Sequence, residues 1–178
     1  MKVIIIDTET TGLVEPEAIE VAYCSVDGDF VEFIQRYQPS KPISLGAKAT
    51  HHILDSELVD CPPSGTFRLP PETEYIIGHN VDFNWTVIGK PDVKRICTQA
   101  LSRMLWPDLD SYSLGAMMYF VTDEVIAREL LKNAHSALQD VRNCCVLLDR
   151  IFSEIKIDMN ETMDKIWEIS ERARGLKL

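Results

Sequence analysis

The 178-residue chain contains no apolar run approaching the ~20 residues that a membrane-spanning helix needs. No leader is expected either. The opening Met1-Lys2-Val3-Ile4-Ile5-Ile6-Asp7 is too short in apolar residues for a signal peptide and runs straight into acids. Cysteine is sparse: Cys24, Cys61, Cys97, Cys144 and Cys145 make an odd set of five with no zinc-ligand spacing. All five are expected to be reduced thiols, which with the missing leader implies a cytoplasmic address and no membrane association. Basic residues are outnumbered, 18 Lys and Arg against 28 Asp and Glu, for a formal net charge of −10. That excludes the broad basic footprint of many nucleic-acid binders. It does not exclude a local site, because net charge governs steering and solubility. Acids gathered to hold metal ions also count as negative until the ions bind. Lys90, Lys94, Arg95 and Arg103 cluster in the sequence, with Lys48, Arg128 and Lys132 elsewhere. Scattered solvated charges and a phosphate-binding patch fit these residues about equally.

The residues present are those of an ordinary globular chain, 46% hydrophobic and 26% charged. The length fits one domain over residues 1–178, with 156–178 as a C-terminal helix and tail. Residues 2–7 read as a buried strand, with Gly12 marking a turn. Residues 18–26 and 30–37 are β-rich and flank Asp27-Gly28-Asp29, a hairpin signal. Six prolines between 39 and 73 mark a connector with short helical pieces, one over 44–52 capped by Ser44. Residues 74–78 and 93–97 read as further strands, with a short helix beginning near Val81. Helices are expected at about 98–105, 111–120, 123–132, 136–153 and 159–173. Met159, Met163, Ile166, Trp167 and Ile169 place an apolar face on the last helix, and Arg172, Arg174 and Lys177 complement its C-terminal dipole. Strands first, then strands alternating with helices, imply an α/β sheet flanked by helices. No internal repeat is visible.

Three stretches carry chemistry. In Asp7-Thr8-Glu9, alternation along a strand puts both carboxylates on one face. Two like charges held that close favour a cation between them, although an incidental acid pair at a strand end is a common alternative. In His135-Ser136-Ala137-Leu138-Gln139-Asp140, a helix starting near Ser136 would bring His135 and Asp140 to one cavity. A capping neighbourhood with an exposed acid explains the same letters. In Gly78-His79-Asn80-Val81-Asp82-Phe83-Asn84-Trp85, a strand ends and a helix begins, and Asn80 and Asp82 would serve equally as caps.

Taken together and in this order, the three stretches resemble the histidine-containing branch of the DEDD 3′→5′ exonucleases. That branch includes the proofreading subunit of bacterial DNA polymerase III and ribonuclease T, and the likeness is strongest to its exonuclease X group. Ala49-Thr50-His51-His52-Ile53, Ile96-Cys97-Thr98 and Leu105-Trp106-Pro107 also match that group, so the likeness runs from about residue 2 to residue 155. It implies a ribonuclease H-like fold, a five-stranded mixed sheet flanked by helices. It implies two Mg²⁺ or Mn²⁺ ions held by Asp7, Glu9, Asp140 and the residue at position 84, with His135 as general base. Thr8, Thr10, Gly12, Leu13, His51, Asn80 and Phe83 would contact substrate, Leu13 as a wedge against terminal bases and His51 near the 3′-terminal nucleotide. The implied partner is single-stranded DNA or a DNA 3′ end, with RNA open. Protein partners are not indicated.

One position departs from the pattern. The family's Asn-x-x-Phe-Asp reads Asn80-Val81-Asp82-Phe83-Asn84 here, with an amide where the fourth acid belongs. An amide keeps the shape of a carboxylate but not its charge, so a second metal is expected to bind less well. Asn84 fits a substitution that disables cleavage or a naturally weak nuclease. The survival of Asp7, Glu9, His135 and Asp140 favours the former. Asp82 lies roughly 200° away around a helix and is a poor replacement. Three functions are therefore weighed: a DNA exonuclease, an RNA 3′-trimming enzyme, and a catalytically silent module that binds 3′ ends. A fourth, coincidental motifs on an acidic α/β domain, requires all three stretches to align by chance.

Overall fold

The computed structural model describes residues 2–26, 31–132, 134–155 and 163–175. Its centre is a five-stranded sheet in the order β3-β2-β1-β4-β5. These strands are β1 (Lys2–Thr10), β2 (Ala18–Ser25), β3 (Glu32–Arg36), β4 (Thr73–Gly78) and β5 (Lys94–Cys97). β1 pairs antiparallel with β2 and parallel with β4, and β2–β3 and β4–β5 extend the sheet on either side. The sheet is therefore mixed, as expected, and all five strands fall where the sequence placed them. The Asp27-Gly28-Asp29 turn lies outside the described residues.

β1 is longer than its apolar run suggested. It continues past Asp7 to Thr10, paired with β2 as far as Thr10↔Ala18 after a shift between Glu9 and Thr10. Its register with β4 stops at Ile5↔Ile77. The acids thus sit on strand held from one side only, where a neighbouring element can enter. Ligand sites of open α/β sheets form at such carboxyl ends of strands.

Alternation divides the core. Val3 and Ile5 face a cluster with Ala22, Cys24, Tyr75 and Ile77, whereas Ile4 and Ile6 face the other side with Val21, Ile76 and Val81. The first side is covered by α3 (Thr98–Leu105), α4 (Leu114–Val121), α5 (Glu124–Leu130), α6 (Ala137–Ile155) and α7 (Met163–Ala173); the second by α2 (Val81–Val87). α1 (Leu45–His51) and two short 3₁₀ turns, Asp55–Glu57 and Ser64–Thr66, break up the proline-rich connector. Ser44 caps α1 by accepting from the Ala47 amide, as its sequence position suggested. Asp123 caps α5 in the same way.

α7 packs as its apolar face required. Ile166 is buried, Met163, Trp167 and Ile169 pack beside it, and Ser170 Oγ accepts the Cys97 amide at 2.8 Å. Met159 and Lys177 lie outside the described residues. The five thiols are free, with Cys24 and Cys145 side by side. Among the described residues, no helix is long and apolar enough to cross a membrane.

Candidate active site

Asp7 and Glu9 project from β1 towards α6, on the face that carries Val3 and Ile5. Asp140 reaches them from the first turn of α6. One carboxylate oxygen from each of the three lies within 4.8 Å of the others. Such a gathering is unfavourable in the absence of a cation. Burial, then the charges of Asp7, Asp140 and Glu20, push Glu9 up to about 9. Burial and the Asp140 charge lift Asp7 well above the carboxylate range, although an Asn84 hydrogen bond and the Thr8 main chain oppose this. Burial also raises Asp140, against the charge of His135 and a hydrogen bond from the His135 main chain. Three hard oxygen donors whose ionised forms are destabilised by one another fit a divalent cation.

The α6 start is fixed from across the sheet. Glu20, directly opposite Glu9 in the β1–β2 register, is 3% exposed. Its Oε1 accepts the Ala137 amide at 3.1 Å and its Oε2 accepts from Arg36 Nε at 3.0 Å. A buried carboxylate thus satisfies an orphan amide at the helix N-terminus, where negative charge is favoured. His135 stands just before this cap, exposed, with φ 66°. The structure brings His135 and Asp140 together as their spacing suggested. Sequence reasoning missed Glu20. Its only signal was an acid in the middle of an otherwise apolar β2.

Asn84 enters from the opposite side. It is 2% exposed, on α2, beneath the unpaired end of β1. Its Oδ1 accepts from the Thr8 hydroxyl at 2.9 Å, and its Nδ2 donates to Ile6 O at 3.3 Å and to Asp7 Oδ1 at 3.2 Å. The carbonyl oxygen that could have faced a cation is thus taken by Thr8, and a donor is aimed at Asp7. Gly78 permits this approach: a Cβ there would lie 3.0 Å from Ile6 O and 3.2 Å from Asn84 Nδ2. Asp82 is engaged elsewhere, with Arg95 Nη1 at 2.5 Å and Arg174 Nη2 at 3.1 Å.

An open cleft of about 740 Å³ runs beside the acids. Glu9 is the one member of the acid cluster that lines it, together with Thr8, Thr10, Gly12, Leu13, His51 and Phe83. Gly12 has φ 145°, and a Cβ there would come within 2.9 Å of Ser44 Oγ, so only glycine fits where the two walls meet. Leu13 is 86% exposed at the rim. His51 is buried with both ring nitrogens engaged: Nδ1 accepts the Ile53 amide, so Nε2 donates to Thr10 O at 3.2 Å. It ties α1 to the end of β1, and burial lowers its pKa. Asn80 differs from its expected placement. It is exposed, left-handed at φ 64°, makes no side-chain cap bond and is not among the residues lining the cleft. The other wall, Lys41, Pro42, Ser44, Gly46, Ala47 and Thr50, comes from the proline-rich connector; the sequence had marked Ser44 only as a helix cap and Thr50 only within a family-like stretch.

The basic cluster, and two of the basic residues outside it, make contacts within the chain. Lys94 pairs with Asp164, Arg95 with Asp82, Lys48 with Asp55 and Lys132 with Glu129. Lys90 and Arg95 lie over the Trp85 ring, and Arg103 over Tyr112.

The sheet order and the acid cluster at the carboxyl end of β1 define a ribonuclease H-like α/β nuclease fold. The exonuclease family model named for RNase T matches residues 4–148. The chain belongs to that exonuclease family, within the histidine-containing DEDD superfamily branch. It is 34% identical over 108 residues to exodeoxyribonuclease 10 of Escherichia coli strain K12, an alignment covering 59% of this chain and 49% of that protein. The chain thus spans about half the length of the curated relatives it matches. Among solved structures it resembles exonuclease X in complex with 5′ overhanging duplex DNA, with a TM-score of 0.73, 28% identity, and coverage of 94% of this chain and 99% of that one. An E. coli exonuclease I complex with single-stranded DNA shares the fold at TM-score 0.68 and 16% identity, over 94% of this chain and 42% of the other.

Proposed function

We propose that the chain is a 3′→5′ exonuclease that hydrolyses the terminal phosphodiester of a DNA 3′ end and releases nucleoside monophosphates. The observation that carries this reading is the convergence of Asp7, Glu9 and Asp140 oxygens within 4.8 Å at the edge of an open cleft. Asp7, Glu9 and Asp140 would hold two Mg²⁺ or Mn²⁺ ions, the second less tightly because Asn84 supplies no carboxylate. When bound, such ions neutralise the charge that builds on the scissile phosphate. His135, exposed beside Asp140, takes the proton of the attacking water. Leu13 and Phe83 hold the terminal base, while Thr8, Thr10 and Gly12 shape the floor beneath the sugar and phosphate. The acidic surface fits a substrate brought in at its end rather than along a basic track. The names and DNA ligands of the relatives support DNA over RNA.

The test uses 5′-labelled DNA and RNA oligonucleotides with Mg²⁺ or Mn²⁺, for the chain and its Asn84→Asp variant. A ladder shortening from the 3′ end, stronger in the variant, supports the reading; preference for RNA would move the substrate to RNA trimming. The hydrogen bond from Asn84 to Asp7 favours a second reading, a module that binds 3′ ends without cutting them. Binding by both forms with cleavage by neither would select it.

A further inference from the structure

The cleft contains one cation that the proposed reaction does not use. Lys41 is the one Lys or Arg among the residues lining it, yet its ammonium is not aimed at the acids. It donates to Val14 O at 3.0 Å and to Glu15 O. Glu15 holds φ 44°, a left-handed backbone that a non-glycine residue adopts only when its surroundings impose it. The connector segment that carries Lys41 grips the 11–17 loop on both sides of this point. The Ser40 amide and hydroxyl each donate to the Glu17 carboxylate at 2.6 Å, and the Ser44 amide donates to Thr11 O at 2.9 Å. Between these two attachments the loop tip presents Leu13 and Val14, 86% and 81% exposed. Side chains this exposed have little packing to hold them. Their position over the cleft is set by the backbone, and the backbone at the tip is held by Lys41.

We infer that Lys41 is a positioning residue, a latch that fixes the Leu13–Val14 tip and so determines whether the cleft can take a base-paired 3′ end as well as a single strand. This rests on the proposed exonuclease reading. Unstacking a terminal base pair has a free-energy cost that an apolar wedge must offset at a fixed place. A loose tip would yield to a duplex end instead of entering it, whereas a flexible single strand can adapt to a loose tip. A simple phosphate contact by Lys41 would act differently, since it would strengthen single-strand and duplex binding alike.

The experiment compares the full chain with Lys41→Met and Lys41→Arg, each also in the Asn84→Asp background so that cleavage is measurable. A hairpin duplex with 2-aminopurine at its 3′-terminal base pair is saturated with protein in EDTA, and its fluorescence reports unstacking without cleavage. Trimming of blunt duplex and of single strand is then measured with Mn²⁺. The latch predicts a fluorescence rise with the parent chain, loss of most of that rise with Lys41→Met, and its return with Lys41→Arg. The ratio of duplex to single-strand trimming should fall about tenfold in Lys41→Met, the scale of effect that a small misplacement produces. An unchanged fluorescence rise and ratio in Lys41→Met would overturn the latch. An equal loss on both substrates would also overturn it, in favour of a phosphate contact. If the parent and Asn84→Asp chains neither bind nor trim single strands, the exonuclease reading fails and the latch with it.

Discussion

Asn84 Nδ2 donates to Asp7 Oδ1 at 3.2 Å while Asn84 Oδ1 accepts from Thr8 at 2.9 Å. The amide is therefore oriented: its donor faces Asp7 of the acid cluster and its acceptor faces away. A carboxylate at this position would keep the Thr8 bond but turn the contact with Asp7 from attractive to repulsive, relieved by a shared cation. Asn84→Asp should therefore raise 3′-end trimming by on the order of 10- to 100-fold, the usual effect of a group that acts on a bound metal. It should also lower the stability of the metal-free protein. Steady-state trimming of a labelled oligonucleotide together with thermal melting in EDTA checks both. Equal rates for the two chains would mean that position 84 lies outside the working site.

The acid cluster should also show in stability. Glu9, lifted to about 9, holds a proton when folded that the unfolded chain has released across neutral pH, and Asp7 and Asp140 lean the same way. Where the folded state binds more protons, stability falls as pH rises. His51 and His79, whose pKa values burial lowers, act in the opposite sense, but only in more acidic solution, below the ordinary histidine range. The window that sets the acids apart from the histidines therefore runs from about pH 7 to about pH 9, where Cys145, its thiol pulled below the ordinary range by Cys24, opposes them. In EDTA the melting temperature should drop by several degrees across it. The drop should shrink in Glu9→Gln and largely vanish with saturating Mn²⁺, because a cation replaces the protons. A level metal-free profile would contradict the clustering of these carboxylates.

Most of the sheet was legible in the sequence because β1, β2 and β4 are short apolar runs followed by turn residues, and that pattern survives without tertiary information. The acids were legible for the same reason, since alternation alone puts Asp7 and Glu9 on one face. What was hidden depends on contacts across long separations. Glu20 reads as an isolated acid in a strand until Ala137, 117 residues later, reaches it. Lys41 reads as connector, and Ser44 as no more than a helix cap, until the connector folds back over Gly12. The true end of β1 at Thr10 was hidden because it is paired on one side only, where polar residues are tolerated. Asn80, implied by the motif as a substrate contact, is exposed with a left-handed backbone and makes no side-chain cap bond.

Glu20 holds the start of the helix that carries Asp140 and follows His135. Glu20→Ala would leave the Ala137 amide without its acceptor and, among the described residues, Arg36 with Glu57 as its remaining acidic partner, at 2.9 Å. The expected loss is about 2 kcal/mol of stability. On the proposed roles of Asp140 and His135, turnover should fall more than substrate affinity, because neither residue lines the cleft. Glu20→Gln keeps an acceptor for Ala137 but sets an amide against the guanidinium, so it should fall between the two. Denaturant midpoints and single-turnover trimming at saturating oligonucleotide separate these effects. A Glu20→Ala chain as stable and as fast as its parent would remove Glu20 from the site.

Asp82 tests whether the missing acid has been replaced from nearby. Its carboxylate, 47% exposed, pairs with Arg95 and with Arg174, whose side chain is only 5% exposed. Arg174 has one other acidic partner, Glu171 at 2.6 Å, and also donates to Arg95 O at 3.0 Å. Removing the Asp82 charge leaves a buried guanidinium less well compensated, so Asp82→Asn should cost about 1 kcal/mol in stability. Asp82 is committed to two arginines and stands on the far side of α2 from Asn84, so trimming by the Asn84→Asp chain should change by less than about twofold. The same substitution in the parent chain is the sharper case. If residual cleavage there disappears while the melting temperature shifts only slightly, Asp82 is serving as the fourth acid and must leave its arginines to do so. If residual cleavage persists, the weak second metal position is the work of Asn84 alone.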